Sequence, residues 1–209
     1  MRKPERLSFE QAAAIPVAGI TALQGLRDKG GIQAGQRVLV NGAAGGIGTF
    51  AVQIAKALGA HVTGVCSTRN VELVRSLGAD EVVDYTQDDF TRKGPYDLVL
   101  DNVGNRSLAA RRRALAPAGR WVVAGGLGGN MTLSLLRSIG GTLLSRLGRK
   151  TMTFFIASIK QDDLLFLAQL AEEGKLTPVV DRTYPLADVP DAVRYLETEH
   201  ARGKVVIAV

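Results

Sequence analysis

Gly42, Gly45 and Gly48 stand three residues apart, directly after the apolar run Val38-Leu39-Val40-Asn41. Glycines at this spacing, between a strand and a helix, suit a phosphate. The first amides of a helix have no partner inside it, and the helix dipole adds partial positive charge there. Glycine lets a pyrophosphate approach the backbone and lets the helix lie close to the strand. Gly45 and Gly48 hold the second and third places of a G-x-G-x-x-G pattern. Ala43 holds the first, and Ala44, Gly46 and Ile47 complete the loop. A plain βα turn with small packing residues is the competing reading, outweighed by the βα rhythm that follows.

The next residues able to discriminate are Ser67, Thr68 and Arg69. An NAD site wants an acid at the end of the second strand, about 20 residues past the glycines. No acid stands here. Hydroxyls and a guanidinium fit a 2′-phosphate instead, so NADP(H) is expected, with Ser67 and Arg69 as readers. A helix cap and a surface charge are the bland alternatives for this stretch. The carboxyl ends of the strands should line the crevice. That places Asn102 and Val103 after the fourth strand and Gly125, Gly126 and Leu127 after the fifth. Phe154, Phe155 and Ile156 fall at the sixth, beside the nicotinamide, with core packing as the alternative for the two phenylalanines. Cys66 follows a buried strand and reads as packing rather than as a nucleophile. His61 and His200 have no triad or metal partner in sequence. With two histidines and one cysteine, far apart, no zinc site is expected.

These residues need elements to position them. Residues 37–41 read as a strand. The helix after it buries Ile47, Phe50, Ala51, Ile54, Ala55 and Leu58 at spacings of three and four, and Gly59 ends it. Strands are expected at 61–66, 81–85 (near an edge), 97–103, 121–126 and 151–156. Helices are expected after 70 (Val71, Val74 and Leu77 on one face, stopped by Gly78), at 106–115, at 131–147 and at 161–173. Gly140-Gly141 weakens the third of these, and Pro117-Ala118-Gly119 is expected to turn the chain. Ahead of all this, the Ser8/Gln11 capping box opens a short helix that Pro16 interrupts, and a second helix spans 18–28 until Gly30-Gly31. The class is α/β: a Rossmann-type doubly wound, six-stranded parallel sheet. The expected partition is leading helices over 1–35, an NADP-binding domain over 36–160, and a C-terminal helix and return segment over 161–209. That last segment holds a strand at 179–184 stopped by Pro185, a helix at 188–198, and a final apolar strand. It is too little for a domain.

Composition narrows the classes. The chain has 209 residues, 46% hydrophobic, with 24 glycines and a net charge of +6. A single cysteine excludes an internal disulfide and fits a reducing compartment. No apolar run approaches a membrane span, so a cytoplasmic protein with no membrane partner is expected. Positive charge gathers at Arg106, Arg111, Arg112, Arg113 and Arg120, and again at Arg137, Arg146, Arg149 and Lys150. Aromatics do not interleave with them, so a solvated face is expected and nucleic acid is not.

Five stretches together resemble the zinc-independent medium-chain dehydrogenase/reductase family, in its quinone-oxidoreductase-like (zeta-crystallin-like) branch. They are residues 12–22 (AAAIPVAGITA), the 38–48 turn, Leu77-Gly78-Ala79-Asp80 leading to Asp84-Tyr85, Asp101-Asn102-Val103-Gly104, and Gly203-Lys204-Val205-Val206-Ile207. The resemblance implies an N-terminal catalytic domain that this chain lacks, a cofactor domain, and a return segment completing the catalytic domain. It implies hydride transfer between NADP(H) and a quinone, enone or other carbonyl, and a homodimer through the edge strand at 151–157. It places Thr21, Tyr85 and Lys204 at the cofactor. No catalytic acid or base is named. A truncated, non-catalytic NADPH-binding module is the alternative function. A short-chain dehydrogenase also fits Gly42-x-x-x-Gly46-Ile47-Gly48, but none of this chain's four tyrosines is followed four residues on by the required lysine: Asp89, Leu100, Asp188 and Glu199 stand there. The final strand at 205–209, without its catalytic domain, is expected to pair with another chain or to be poorly ordered.

Overall fold

The computed structural model describes residues 3–124, 149–198 and 201–209. Gly125, Gly126, Leu127, His200 and the helix expected at 131–147 lie outside the described residues.

Six parallel strands form one sheet: β1 (Arg37–Asn41), β2 (His61–Cys66), β3 (Glu81–Asp84), β4 (Tyr96–Asp101), β5 (Leu115–Ala124) and β6 (Thr151–Phe155). Their order is β3-β2-β1-β4-β5-β6, the order of a doubly wound dinucleotide-binding sheet. Both faces are covered, which explains the continuous apolar runs. Successive side chains alternate between two cores. Val38, Val40, Leu98 and Leu100 enter one, beside α1 (Phe9–Gln24), α2 (Gly48–Ala57) and α5 (Gln161–Glu172). Leu39, Val99, Phe90, Tyr96 and Trp121 fill the other. Between β2 and β3 runs α3 (Val71–Ser76), and α4 (Leu108–Ala114) leads into β5.

The capping box forms as expected: Gln11 N–H donates to Ser8 Oγ, and Ser8 N–H to the Gln11 side chain. Pro16, however, does not interrupt the helix. One helix runs through it to Gln24 and passes into a single π-turn over Gly25–Lys29. Proline costs the helix one backbone bond. Burial of Ala14, Ile15, Ala18, Ile20, Ala22 and Leu23 on both sides offsets that loss. At 116–119 the chain does not leave the sheet. The pairing of β4 with β5 jumps from Tyr96↔Leu115 to Leu98↔Arg120, so the expected turn is a bulge within β5.

The arginines of the 106–120 stretch are not simply a solvated face. Arg111 lies over the Trp121 ring, 5.5 Å from its centroid, and donates to Gly104 O. Lys150 caps the carbonyls of Arg112 and Leu115.

At the C-terminus, β7 (Val180–Pro185), α6 (Val189–Thr198) and β8 (Lys204–Ala208) form a small unit whose two strands pair in parallel. The final strand is therefore ordered and paired within its own chain, contrary to expectation. Tyr195 Oη and Arg202 N–H both donate to Asp181 Oδ2, tying helix, strand and return loop together. Gly203 N–H then donates to Ala44 O at 2.9 Å, bringing the unit onto the glycine turn.

Candidate functional site

Strands β1, β2 and β4 end level with one another: Asn41 is in register with Val65 and with Asp101. Above their ends lies a cleft of about 1000 Å³.

Its base is the glycine turn. The chain leaves β1 through Gly42 at φ 77°, a conformation glycine adopts without strain. Gly48 is required by space: a β-carbon there would lie 2.0 Å from Gly42 O. Gly64, beneath the turn, is required in the same way, since its β-carbon would lie 2.4 Å from Val74 Cγ1. Gly45 differs. Its β-carbon would meet only Gly42 O, at 3.4 Å, and would stand in the cleft. No contact among the described residues forbids a side chain there, so the missing one leaves a backbone cradle for an incoming group. The amides of Gly46, Ile47 and Gly48 donate to no acceptor among the described residues. Lys204 lies over Gly46, its Nζ 3.6 Å from where a Gly46 β-carbon would be. Its ammonium has no partner among the described residues.

One wall follows β2. Ser67, Thr68 and Arg69 line it, with Tyr85, 52% exposed, beside them. The carboxylate bonded to Thr68, Asp84, is occupied: it accepts from Thr68 Oγ1 (2.5 Å), Thr86 N–H (2.9 Å), Thr86 Oγ1 (2.8 Å) and Gln87 Nε2 (3.2 Å). The Thr68 hydroxyl, with Thr86 and Gln87, holds it below the usual carboxylate range. Cys66 also faces the cleft. Burial, reinforced by Asp84, pushes its thiol up to about 11, so it is neutral at physiological pH, in keeping with a packing role.

The opposite wall follows β4 and is organised by Asp101, which is fully buried. Its Oδ1 accepts from Asn41 Nδ2 (2.8 Å), Val103 N–H (3.1 Å) and Gly104 N–H (2.9 Å), and its Oδ2 from Trp121 Nε1 (3.0 Å). This fixes the turn that presents Asn102 and Val103. Asn102 Nδ2 donates to Asn41 O, which leaves Asn102 Oδ1 buried without a donor. Farther along, Arg106 lies on the Phe90 ring.

Ten of the expected site residues thus line one cleft: Ala44, Gly45, Gly46, Ile47 and Lys204 at the turn, Ser67, Arg69 and Tyr85 on one wall, Asn102 and Val103 on the other. Others do not. Ala43 is fully buried and its amide donates to Val65 O. Thr21 turns back on its own helix, donating to Val17 O at 2.7 Å, while Val17 and Ala18, one turn earlier, reach the cleft. Phe154, Phe155 and Ile156 lie at the end of β6, outside its walls. Phe155 is a core residue packed against Gly25, and Ile156 is 84% exposed. Arg106, Phe90 and Asn105 also line the cleft, although no motif announces them. The rule of strand carboxyl ends points to Asn102 and Val103 after β4, three or four residues short of Arg106, and nothing local marks Phe90.

Among the described residues, Arg69, Arg106 and Lys204 line the cleft and no carboxylate does. No group of three metal-capable side chains occurs among them, and no helix there is long and apolar enough to cross a membrane. Backbone donors at a helix start, three cations and apolar side chains around one cleft suit a multiply anionic ligand with flat ring systems.

The family model described as zinc-binding dehydrogenase matches residues 77–207. Over 99% of its length the chain is 37% identical to the mitochondrial NAD(P)H oxidoreductase RTN4IP1 of Bos taurus, covering 57% of that protein. It is 33% identical to a chloroplast envelope quinone oxidoreductase homolog of Arabidopsis thaliana, again over 99% of the chain and 64% of the relative. The solved quinone oxidoreductase of Coxiella burnetii superposes on the whole chain with a TM-score of 0.85 at 31% identity, the chain covering 63% of it. The chain therefore spans under two thirds of the length of these proteins. It belongs to the zinc-binding dehydrogenase family, among the relatives of the medium-chain quinone and NAD(P)H oxidoreductases.

Proposed function

We propose that this chain is the NADP(H)-binding portion of a zinc-independent oxidoreductase that transfers hydride between the nicotinamide and a quinone, enone or other carbonyl substrate. The observation that carries the cofactor reading is the lining of the cleft: Arg69, Arg106 and Lys204, with no carboxylate among its described residues. An acid that would hold a ribose 2′-hydroxyl, and repel a 2′-phosphate, is missing from the end of β2. In this reading the amides of Gly46, Ile47 and Gly48 and the Lys204 ammonium hold the pyrophosphate. Ser67 and Arg69 bind the 2′-phosphate, Tyr85 packs beside the adenosine, and Asn102 and Val103 fix the wall between the two ends. The cofactor, when bound, supplies the hydride. The chain's own residues supply position and charge. The relatives' names support the quinone or carbonyl substrate.

Titration with NADPH and NADH, followed by nicotinamide fluorescence, tests the cofactor. Binding of NADPH at least about tenfold tighter is expected, from one additional charge-assisted contact. Equal or tighter NADH binding overturns the preference, and binding of neither overturns the site. A chain that binds NADPH but reduces no quinone, enone or aldehyde would be a binding module rather than an enzyme. A cytoplasmic homodimer through β6 completes the proposal. Among the described residues β6 ends the sheet and pairs only with β5, and an open edge favours cover. Light scattering on the purified chain checks it, and a monomer refutes it.

A further inference from the structure

Arg106 is unusual among the arginines of its stretch. Its guanidinium lies 4.8 Å from the centroid of Phe90, which is 1% exposed. One face is thus covered by a fixed ring while the side chain lines the cleft. It donates no hydrogen bond to any described residue, and its Nε is buried without an acceptor. Among the described residues its one anionic neighbour is Asp89, at 3.9 Å, beyond hydrogen-bond range. That carboxylate is shared with Arg92 at 3.7 Å and Arg113 at 3.9 Å, and is further occupied by Thr91. Three guanidinium groups thus surround one carboxylate, and positive charge is left over on this wall of the cleft. Arg111, which also lies over a ring and whose Nε is likewise buried without an acceptor, still spends one donor on Gly104 O. Arg106 lies over the Phe90 ring and donates to none of the described residues.

Arg106 follows β4 and Arg69 follows β2, and these strands flank β1 and its glycine turn. The two arginines therefore approach the cleft from opposite sides of the glycine turn. With the pyrophosphate on the glycine-turn amides and Lys204, a dinucleotide without a 2′-phosphate has no anion left for these arginines, and one carrying a 2′-phosphate has.

We infer that Arg106 is a second reader of the 2′-phosphate, acting from the wall opposite Arg69, and that it sets the preference for the phosphorylated dinucleotide. The inference rests on the cofactor reading above and adds a residue that reading does not contain. Stacking on Phe90 restricts the fork before the ligand arrives, so less side-chain entropy is lost when an anion is bound.

The test is calorimetric titration of the whole chain, wild type and Arg106→Gln, with two matched ligand pairs: NADPH against NADH, and adenosine 2′,5′-bisphosphate against 5′-AMP. The variant is expected to lose about tenfold or more toward the two 2′-phosphorylated ligands, the loss of one charge-assisted contact. It should stay within about twofold of wild type toward the other two. Equal losses toward both members of each pair would overturn the inference and make Arg106 a stacking surface for the base. No loss toward any ligand would overturn it as well. Arg106→Lys keeps the charge but not the planar fork, and carries the same test should the glutamine variant melt early. Its NADPH affinity should fall and its NADH affinity hold. The two levels separate cleanly. Wild type that binds no dinucleotide, or prefers NADH, refutes the cofactor reading. Wild type that prefers NADPH, with variants unchanged, refutes only the role of Arg106.

Discussion

At the glycine end of the cleft the ligand-facing groups are backbone amides, and residue type is dictated by space. Around Arg69 and Arg106 they are side chains, delivered by the loops after β2, β3 and β4. The first end is made by one continuous stretch, residues 42–48, plus Lys204. The second exists only when three separate segments converge. Backbone-built surface should therefore be intolerant of added atoms and indifferent to which dinucleotide is bound. Side-chain-built surface should tolerate substitution in stability and respond strongly in selectivity.

The largest break in this contrast comes from the residue beneath both ends. Asp101→Ala strips a fully buried carboxylate from Asn41, Trp121 and two amides. Unfolding in urea should show a loss of about 4 kcal/mol, the cost of leaving buried partners unpaired. Next comes Gly48→Ala, whose methyl would lie 2.0 Å from Gly42 O. A loss of about 3 kcal/mol is expected for such forced overpacking. Gly45→Ala is its control: with its nearest contact at 3.4 Å, stability should hold within about 0.5 kcal/mol while affinity for both dinucleotides falls. Comparable destabilisation by the two alanines would show that Gly45 also serves packing. Lys204→Gln should weaken NADPH and NADH alike, by about tenfold, as a shared phosphate contact would. A loss confined to NADPH would move Lys204 to the other end.

The smallest effect is on pH. A 2′-phosphate takes up its second proton near about pH 6, so NADPH affinity should decline below that value while NADH affinity stays level. Three groups beside the cleft with displaced values, Asp84, Asp89 and Cys66, stay clear of this window. Asp84 is held low by Thr68, Thr86 and Gln87. Asp89 is pushed up by slight burial, but the Thr91 hydrogen bonds and Arg106 outweigh that and keep it low. Both stay ionised until the pH falls below the ordinary aspartate value of about 3.9. The Cys66 thiol, pushed up to about 11, stays neutral. Titration between pH 5 and 8, roughly the range that brackets the phosphate, checks it. A parallel decline for NADH would place the responsible group on the protein.

The same contrast separates what the order of residues makes legible from what only the folded chain creates. Gly42, Gly45 and Gly48 are legible because their spacing encodes a local shape. The βα alternation is legible because each strand and helix has its own apolar period. Asn102 and Val103 follow from the rule of strand ends. Phe90 and Arg106 do not, because a 3-10 turn after β3 brings them together from 16 residues apart. Ala43 looks like part of the cradle by pattern, yet its amide is already used by Val65 O, which spacing cannot show. Pro16 misleads for the opposite reason. Its local penalty is real, but burial along both sides of α1 outweighs it. The pairing of β8 with β7 is unexpected because it depends on Asp181 gathering Tyr195 and the Arg202 amide, a contact between segments with no periodic signal.

Trp121 is the only tryptophan in the chain, and its indole N–H is held by the same carboxylate that anchors the Asn102–Gly104 turn. Its ring is fully buried, so its emission should lie at short wavelength, where reduced nicotinamide absorbs. The protein thus contains an unlabelled optical gauge of its own cleft. Energy passed from this one ring to a bound dinucleotide reports occupancy, and a red shift without ligand reports the loosening of the wall that Asp101 holds.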